Sequence, residues 1–210
     1  IIYSDEEKVY QSMLSQINKG HQCYTICPLI EDNDTMQNVD SVETTLKKMT
    51  DWFDDYHITV AAISGNMKEA EIRQTLDAFS RGDIKILIST TIVEVGVNVP
   101  NATVILIKNA ERFGLAQLHQ LRGRVGRSAL QSYCVLLSDD TENDRLKVMT
   151  ETTDGFVVAQ KDMELRGTGQ ILGTKQSGTD ECLELILSHQ DIYQNIKKEA
   201  VRLLKQSRQS

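Results

Sequence analysis

Residues 84–107 read IKILISTTIVEVGVNVPNATVILI and contain two short apolar runs, at residues 84–89 and 103–107. Short runs that are rich in Ile, Val and Leu and bounded by turn residues predict buried strands, because buried helices are usually longer. The segment between the runs contains Gly96 and Pro100 and is expected to be a connection. These residues therefore predict two buried strands of a sheet.

Similar apolar runs occur on both sides of this stretch. Further strands are predicted at residues 24–30, 58–63 and 132–138. Helices are predicted at residues 42–56, 68–80 and 114–121, and a first helix is expected between an acidic cap at residues 4–7 and Gly20. Strands that alternate with helices predict an α/β fold, a parallel sheet with helices on both faces. Because ligands of such sheets bind at the carboxyl ends of the strands, functional loops are expected after residues 30, 63, 89 and 107.

Residues 117–127 read QLHQLRGRVGR, in which Arg122, Arg124 and Arg127 alternate with Gly123 and Gly126. Two glycines are unfavourable on a solvated helix, where each costs about 1 kcal/mol. They suit a backbone that passes close to a ligand while guanidinium groups point to one place. Because the donors of Arg form a planar fork that matches phosphate oxygens, the pattern predicts an arginine array that faces a phosphate. A basic surface turn is the simpler alternative.

Gln120, Gly123, Arg124 and Arg127 form the pattern Q-x-x-G-R-x-x-R, which resembles the last motif of superfamily-two helicases. In that family the arginines contact the γ-phosphate of an ATP held by the other motor domain, and such an arginine accelerates phosphoryl transfer by about 10³–10⁵. Residues 111–127 resemble the RecG family of branch-migration helicases, with the transcription-repair coupling translocases as nearest relatives. The resemblance implies a RecA-like second motor domain, with Gln120, Arg124 and Arg127 as catalytic residues.

Residues 89–100 resemble a second helicase motif, in which two threonines follow a strand and a Gly-x-Asp triplet faces the nucleotide. Thr90 and Thr91 match the threonines, so we expect them to hold a DNA phosphate, a contact that positions the DNA without reading its sequence. Gly96 and Asn98 match the triplet and are expected to contact ATP. Asn98 stands where the family has Asp, which keeps a ribose contact possible and argues against a link to a metal.

Two further segments resemble parts of the RecG family that bind DNA or move along it. Gly65 precedes a predicted helix, whose unpaired N–H groups can bind a DNA phosphate, although relatives carry an Arg next to it. Residues 162–178 resemble the translocation motif, in which Arg166 and Gln176 match positions that couple hydrolysis to movement. A flexible glycine-rich surface loop is the alternative for this last segment.

The composition is that of an ordinary globular protein, with 40% hydrophobic and 25% charged residues. The net charge of −7 argues against a protein coated with nucleic acid, although residues 111–131 carry four arginines against one glutamate. No apolar run approaches the about 18 residues that a membrane span needs. The four cysteines are expected to be buried thiols of a cytoplasmic protein, and no metal site is predicted because Cys23 and Cys27 lack further ligands.

The sequence contains no G-x-x-x-x-G-K-[ST] loop and no Asp-Glu pair after a strand that could hold magnesium. ATP with Mg²⁺ is therefore expected to be bound mainly by a first motor domain of the same polypeptide. On this interpretation the chain is the C-terminal part of a larger enzyme and is inactive alone. The predicted division is a RecA-like motor domain at residues 1–139, followed at residues 140–210 by a helical translocation region and a C-terminal helix.

The resemblance implies an ATP-dependent DNA helicase that branch-migrates forks and Holliday junctions in recombination, repair and replication restart. The partners it implies are branched DNA, the first motor domain and a DNA wedge domain. Two alternatives stay open at this point. One is the corresponding part of a translocase that pushes stalled RNA polymerase, and the other is a non-catalytic α/β binding module.

Overall fold

The computed structural model describes residues 1–28, 41–90 and 99–166. Within these ranges six strands form one parallel sheet, in the order β1-β6-β5-β2-β4-β3. The strands are β1 Ile2–Tyr3, β2 Gln22–Ile26, β3 Val60–Ile63, β4 Ile86–Ser89, β5 Ala102–Ile107 and β6 Tyr133–Leu137. The predicted parallel sheet is confirmed. The edge strand β1 was not predicted, because two residues carry no readable periodicity.

Helices cover both faces of the sheet. They are α1 Glu6–Ile17, α2 Val42–Phe53, α3 Glu69–Arg81, α4 Leu115–Arg122, α5 Asp144–Glu151 and α6 Gly155–Arg166, with short 3₁₀ turns at Asp54–Tyr56 and Ala110–Arg112. Along β5, Val104 and Leu106 join the core formed with α1 and α2, whereas Ile105 and Ile107 join the core formed with the other helices. This alternation follows from the two-residue period of a strand.

The central strand β2 begins two residues before its predicted start, at Gln22. The Gln22 side chain is buried, and its Nε2 donates to the carbonyl of Phe79 at 2.5 Å and to that of Ile84 at 2.8 Å. Because these bonds replace those with water, a polar residue is tolerated inside the sheet. An apolar pattern alone does not reveal such a residue.

A buried ion pair ties the first turn of α1 to the end of β5. Lys108 follows β5 directly and is 0% exposed, and its Nζ pairs with the carboxylate of Glu6, which is 30% exposed. The Tyr10 hydroxyl donates to the same Glu6 oxygen at 2.6 Å. The acidic first turn of α1 therefore neutralises a cation in the interior as well as favouring the positive end of its own helix.

The described cysteines belong to the packed interior. Burial raises the pKa of the Cys23 thiol and raises that of Cys134 to about 11. The Cys27 Sγ donates to the hydroxyl of Thr45 at 3.3 Å. Thiols in this setting are protonated at neutral pH and therefore unreactive.

The helices that follow residue 139 are packed onto the sheet domain. Ile1–Leu165 form one compact unit, and α5 lies against α4 and the turn at Ala110–Arg112. The division between residues 1–139 and 140–210 stays a prediction, because residues 167–210 lie outside the described ranges. Among the described helices, none has both the length and the apolar character needed to cross a bilayer.

Candidate functional site

Helix α4 presents the start of the arginine motif on its outer face. The helix begins after Gly114, whose N–H donates to the Gln117 side chain at 3.1 Å. Its inner face is fixed by a leucine stripe that is buried in the core, formed by Leu115, Leu118 and Leu121. Gln120 therefore lies on the exposed face, one residue before the end of the stripe.

Arg127 is exposed in the connection between α4 and β6, and Arg124 in the same connection is half-buried. The Arg127 Nε donates to the carbonyl of Gly123 at 3.0 Å. Within the described residues this is the one hydrogen bond of that side chain, so both Nη groups are available to a ligand. The bond holds the guanidinium beside the end of α4, which orients it before any ligand arrives.

Both arginines act electrostatically on the same buried phenol. Tyr24 lies on β2 with its ring 5.0 Å from that of Phe79, and burial raises its pKa to about 12. The positive charges of Arg127 and Arg124 oppose that rise, since a nearby cation favours the phenolate. Both guanidinium groups are therefore close enough to Tyr24 to affect its ionisation, and their service of one ligand stays a prediction.

The backbone between the two arginines depends on Gly126. Its φ is +78°, a left-handed conformation that an L-residue with a side chain adopts only at a cost. Gly123, by contrast, has a φ of −68°, and a Cβ there would lie 3.4 Å from the carbonyl of Gln120, an ordinary contact. Gly126 is therefore the residue that lets the chain turn before Arg127.

We expect Gly126→Ala to lower the free energy of unfolding by about 1 kcal/mol, because alanine is strained in the left-handed region. Urea unfolding followed by circular dichroism measures the change. Gly123→Ala is the matched control and is expected to cause no loss, since its backbone suits any residue. An equal loss in both variants would contradict the assignment of the turn to Gly126.

Arg122 does not join the other two arginines, contrary to the expectation that all three guanidinium groups point to one place. Its Nη1 donates to the carbonyls of Met149 at 2.9 Å and Thr152 at 2.7 Å, at the end of α5. Arg124 and Arg127 therefore stay the candidates for the predicted phosphate contact, and Arg122 does not. The helicase motif includes Arg124 and Arg127 but not Arg122, and only the structure shows which helix packs behind α4 and binds Arg122.

A second candidate region lies at the carboxyl ends of β3 and β4. These strands pair with Ile63 opposite Ser89, so the residues that follow them are neighbours at one edge of the sheet. Gly65 is exposed in the turn after β3, and Thr90 is half-buried directly after β4. This region matches the predicted loops after residues 63 and 89.

The arginine pair occupies a different kind of connection. It lies between α4 and the amino end of β6, whereas all four predicted loops follow a strand. The predicted site residues of the arginine motif therefore lie outside the four predicted strand-end loops. A parallel sheet binds its own ligand at the loops that follow its strands, whereas Arg124 and Arg127 follow a helix.

The structure describes several of the predicted site residues only in part or not at all. Thr91, Gly96, Asn98 and Gln176 fall outside the described residues. Arg166 is the last residue of α6. Their roles stay predictions.

The chain is similar to known proteins in both sequence and fold. Residues 6–129 match the helicase conserved C-terminal domain. The chain belongs to this helicase family. The match covers the sheet from α1 to the arginine motif, which includes both candidate regions.

This helicase domain is similar to proteins named ATP-dependent DNA helicase RecG. It is 44% identical over 180 residues to the one from Staphylococcus aureus and 45% identical over 181 residues to that of Staphylococcus epidermidis. Each alignment covers 84% of this chain and 26% of the relative, so the chain spans about a quarter of the length of the curated relatives it matches. The resemblance to the C-terminal part of RecG is thereby confirmed.

A solved structure of RecG bound to a three-way DNA junction has the same fold. The match covers 81% of this chain and 22% of the solved chain, with a TM-score of 0.62 and 34% sequence identity. The RecA-like motor fold expected from the sequence is confirmed by this match.

Proposed function

We propose that this chain is the second motor domain and coupling region of a RecG-like ATP-dependent DNA helicase. The helicase branch-migrates forks and Holliday junctions in recombination, repair and replication restart, in the bacterial cytoplasm at the nucleoid. The observation that carries the proposal is the exposed guanidinium of Arg127 beside Arg124, on a domain 44% identical to RecG.

The residues at the end of α4 fit a nucleotide phosphate. ATP with Mg²⁺, bound mainly by a first motor domain, supplies the γ-phosphoryl group whose transfer to water releases the energy for movement. Arg127 and Arg124 offer fixed positive charge to that phosphate, and Gln120 lies on the same exposed segment. Gly96 and Asn98, which match the Gly-x-Asp triplet of the family, contact the nucleotide.

The DNA contacts belong to the carboxyl ends of β3 and β4. Thr90 and Thr91 offer hydroxyl and N–H donors to a backbone phosphate, and Gly65 lets the chain approach it closely. Because these are phosphate contacts, they suit a motor that moves over any sequence. Arg166 and Gln176 couple the motion of this domain to DNA, and a wedge domain of the same polypeptide splits the branch point.

The test joins this chain to a wedge domain and to a first motor domain that carries the phosphate-binding loop. We expect the joined protein to hydrolyse ATP when forked DNA is added and to unwind the fork, whereas the chain alone hydrolyses no ATP above background. Turnover by the chain alone would contradict the two-domain ATP site. Displacement of stalled RNA polymerase without fork unwinding would instead favour a coupling translocase.

A further inference from the structure

Arg122 closes the carboxyl end of α5. One of its nitrogens, Nη1, donates to two carbonyls, those of Met149 and of Thr152, the C-cap residue. The last carbonyls of a helix lack partners within it, and a cation at this end also favours the helix dipole. The last turn of α5 contains no basic residue, so α4 supplies the cation.

The first turn of α6 rests on the same part of α4. A Cβ on Gly155 would lie 3.0 Å from His119 Cε1 and 3.4 Å from its Nε2, so only glycine permits this approach without movement of the ring. His119 and Arg122 are three residues apart and therefore share a face of α4. The N–H of Phe156 donates to the Asp154 carboxylate at 2.8 Å, which fixes the start of α6.

The amino end of α5 is held in a similar way. The Arg145 Nη2 donates to the carbonyl of Glu111 at 3.1 Å, in the turn that precedes α4. Between these two bridges, apolar side chains of α4, α5 and α6 share one core, formed by Leu118, Leu121, Leu146, Val148, Met149 and Val158. Helix α5 and the start of α6 are thus fixed to the segment that carries the arginine pair.

The burial of Arg122 includes a contribution that destabilises the fold, which favours a role for this residue beyond packing. Its Nη2 is buried and has no hydrogen-bond partner among the described residues. A buried donor without a partner is destabilising, and an apolar side chain of similar size avoids that penalty. Arg122 nevertheless occupies this position, two residues before Arg124.

We infer that Arg122 is a positioning residue that joins the arginine pair to the α5–α6 turn. The inference rests on the proposed helicase function and adds a named residue to it. When Arg124 and Arg127 shift as nucleotide binds or leaves, the end of α4 shifts with them. Because Arg122 holds the α5 carbonyls and His119 contacts Gly155, the α5–α6 turn and the start of α6 follow.

The test compares Arg122→Ala with the unchanged helicase in three measurements. We expect DNA-stimulated ATP turnover to stay within about threefold, while the rate of fork unwinding falls about tenfold. Amide hydrogens of residues 149–156 are expected to exchange about tenfold faster, with or without nucleotide. Arg122→Lys should recover part of the unwinding, because one nitrogen makes both bonds.

Arg73→Ala is the matched control, since Arg73 is exposed and bonded to Glu69 on its own helix at 2.9 Å. Gly155→Ala disturbs the same contact from the α6 side and repeats the test if Arg122→Ala does not fold. Unchanged exchange in residues 149–156, or equal loss of turnover and unwinding, overturns the inference. If the unchanged protein neither hydrolyses ATP nor unwinds forks, the proposed function fails, and the exchange comparison still judges the role of Arg122.

Discussion

Arg127→Ala is expected to lower the DNA-stimulated ATP turnover of the helicase by about 10³-fold or more. The guanidinium stabilises negative charge that develops as the phosphoryl group is transferred, and alanine leaves that charge without its partner. Steady-state phosphate release at saturating forked DNA measures the change. The fold should be unaffected, because the one described bond of this exposed side chain is to the Gly123 carbonyl.

Arg127→Lys separates charge from geometry. Lysine keeps the positive charge but loses the planar fork, so we expect a turnover between those of the alanine variant and the unchanged helicase. Thermal unfolding of each variant checks that the domain is intact. Near-normal turnover in Arg127→Ala, with DNA binding retained, would remove the proposed role of this residue.

Glu6→Ala is expected to lower the free energy of unfolding by about 3 kcal/mol, the largest stability effect predicted for the described residues. Removal of the carboxylate takes a charged partner from Lys108, which is 0% exposed, and an acceptor from the Tyr10 hydroxyl. A buried cation without this partner is costly because it has no access to water. Urea unfolding of the chain at neutral pH measures the effect.

Glu7→Ala is the matched control for this prediction. Glu7 is the next residue in the first turn of α1 and is exposed, so its loss removes a similar interaction with the helix dipole but no buried pair. We expect a change below about 1 kcal/mol. Equal effects of the two variants would show that Glu6 acts only as a helix-terminal charge.

The sequence could predict residues of the candidate site that lie close together along the chain, but not contacts between residues that lie far apart in it. Gln120, Arg124 and Arg127 were predicted together because they lie within one short motif, which the structure places at the end of α4 and in the following connection. The role of Arg122 was missed, since its two acceptors are 27 and 30 residues further along the chain. A guanidinium in a motif shows its charge, whereas its direction depends on the helix that packs beside it.

The sequence by itself determined the alternation of strands and helices, since apolar periodicity and end signals such as Asp5 and Gly20 act over a few residues. It also determined the family, through the arginine motif. Only the tertiary structure decided the strand order, the pairing of Glu6 with Lys108 across 102 residues and the attachment of α5 to α4. These contacts form when distant segments are buried together, and no local pattern specifies which segments will meet.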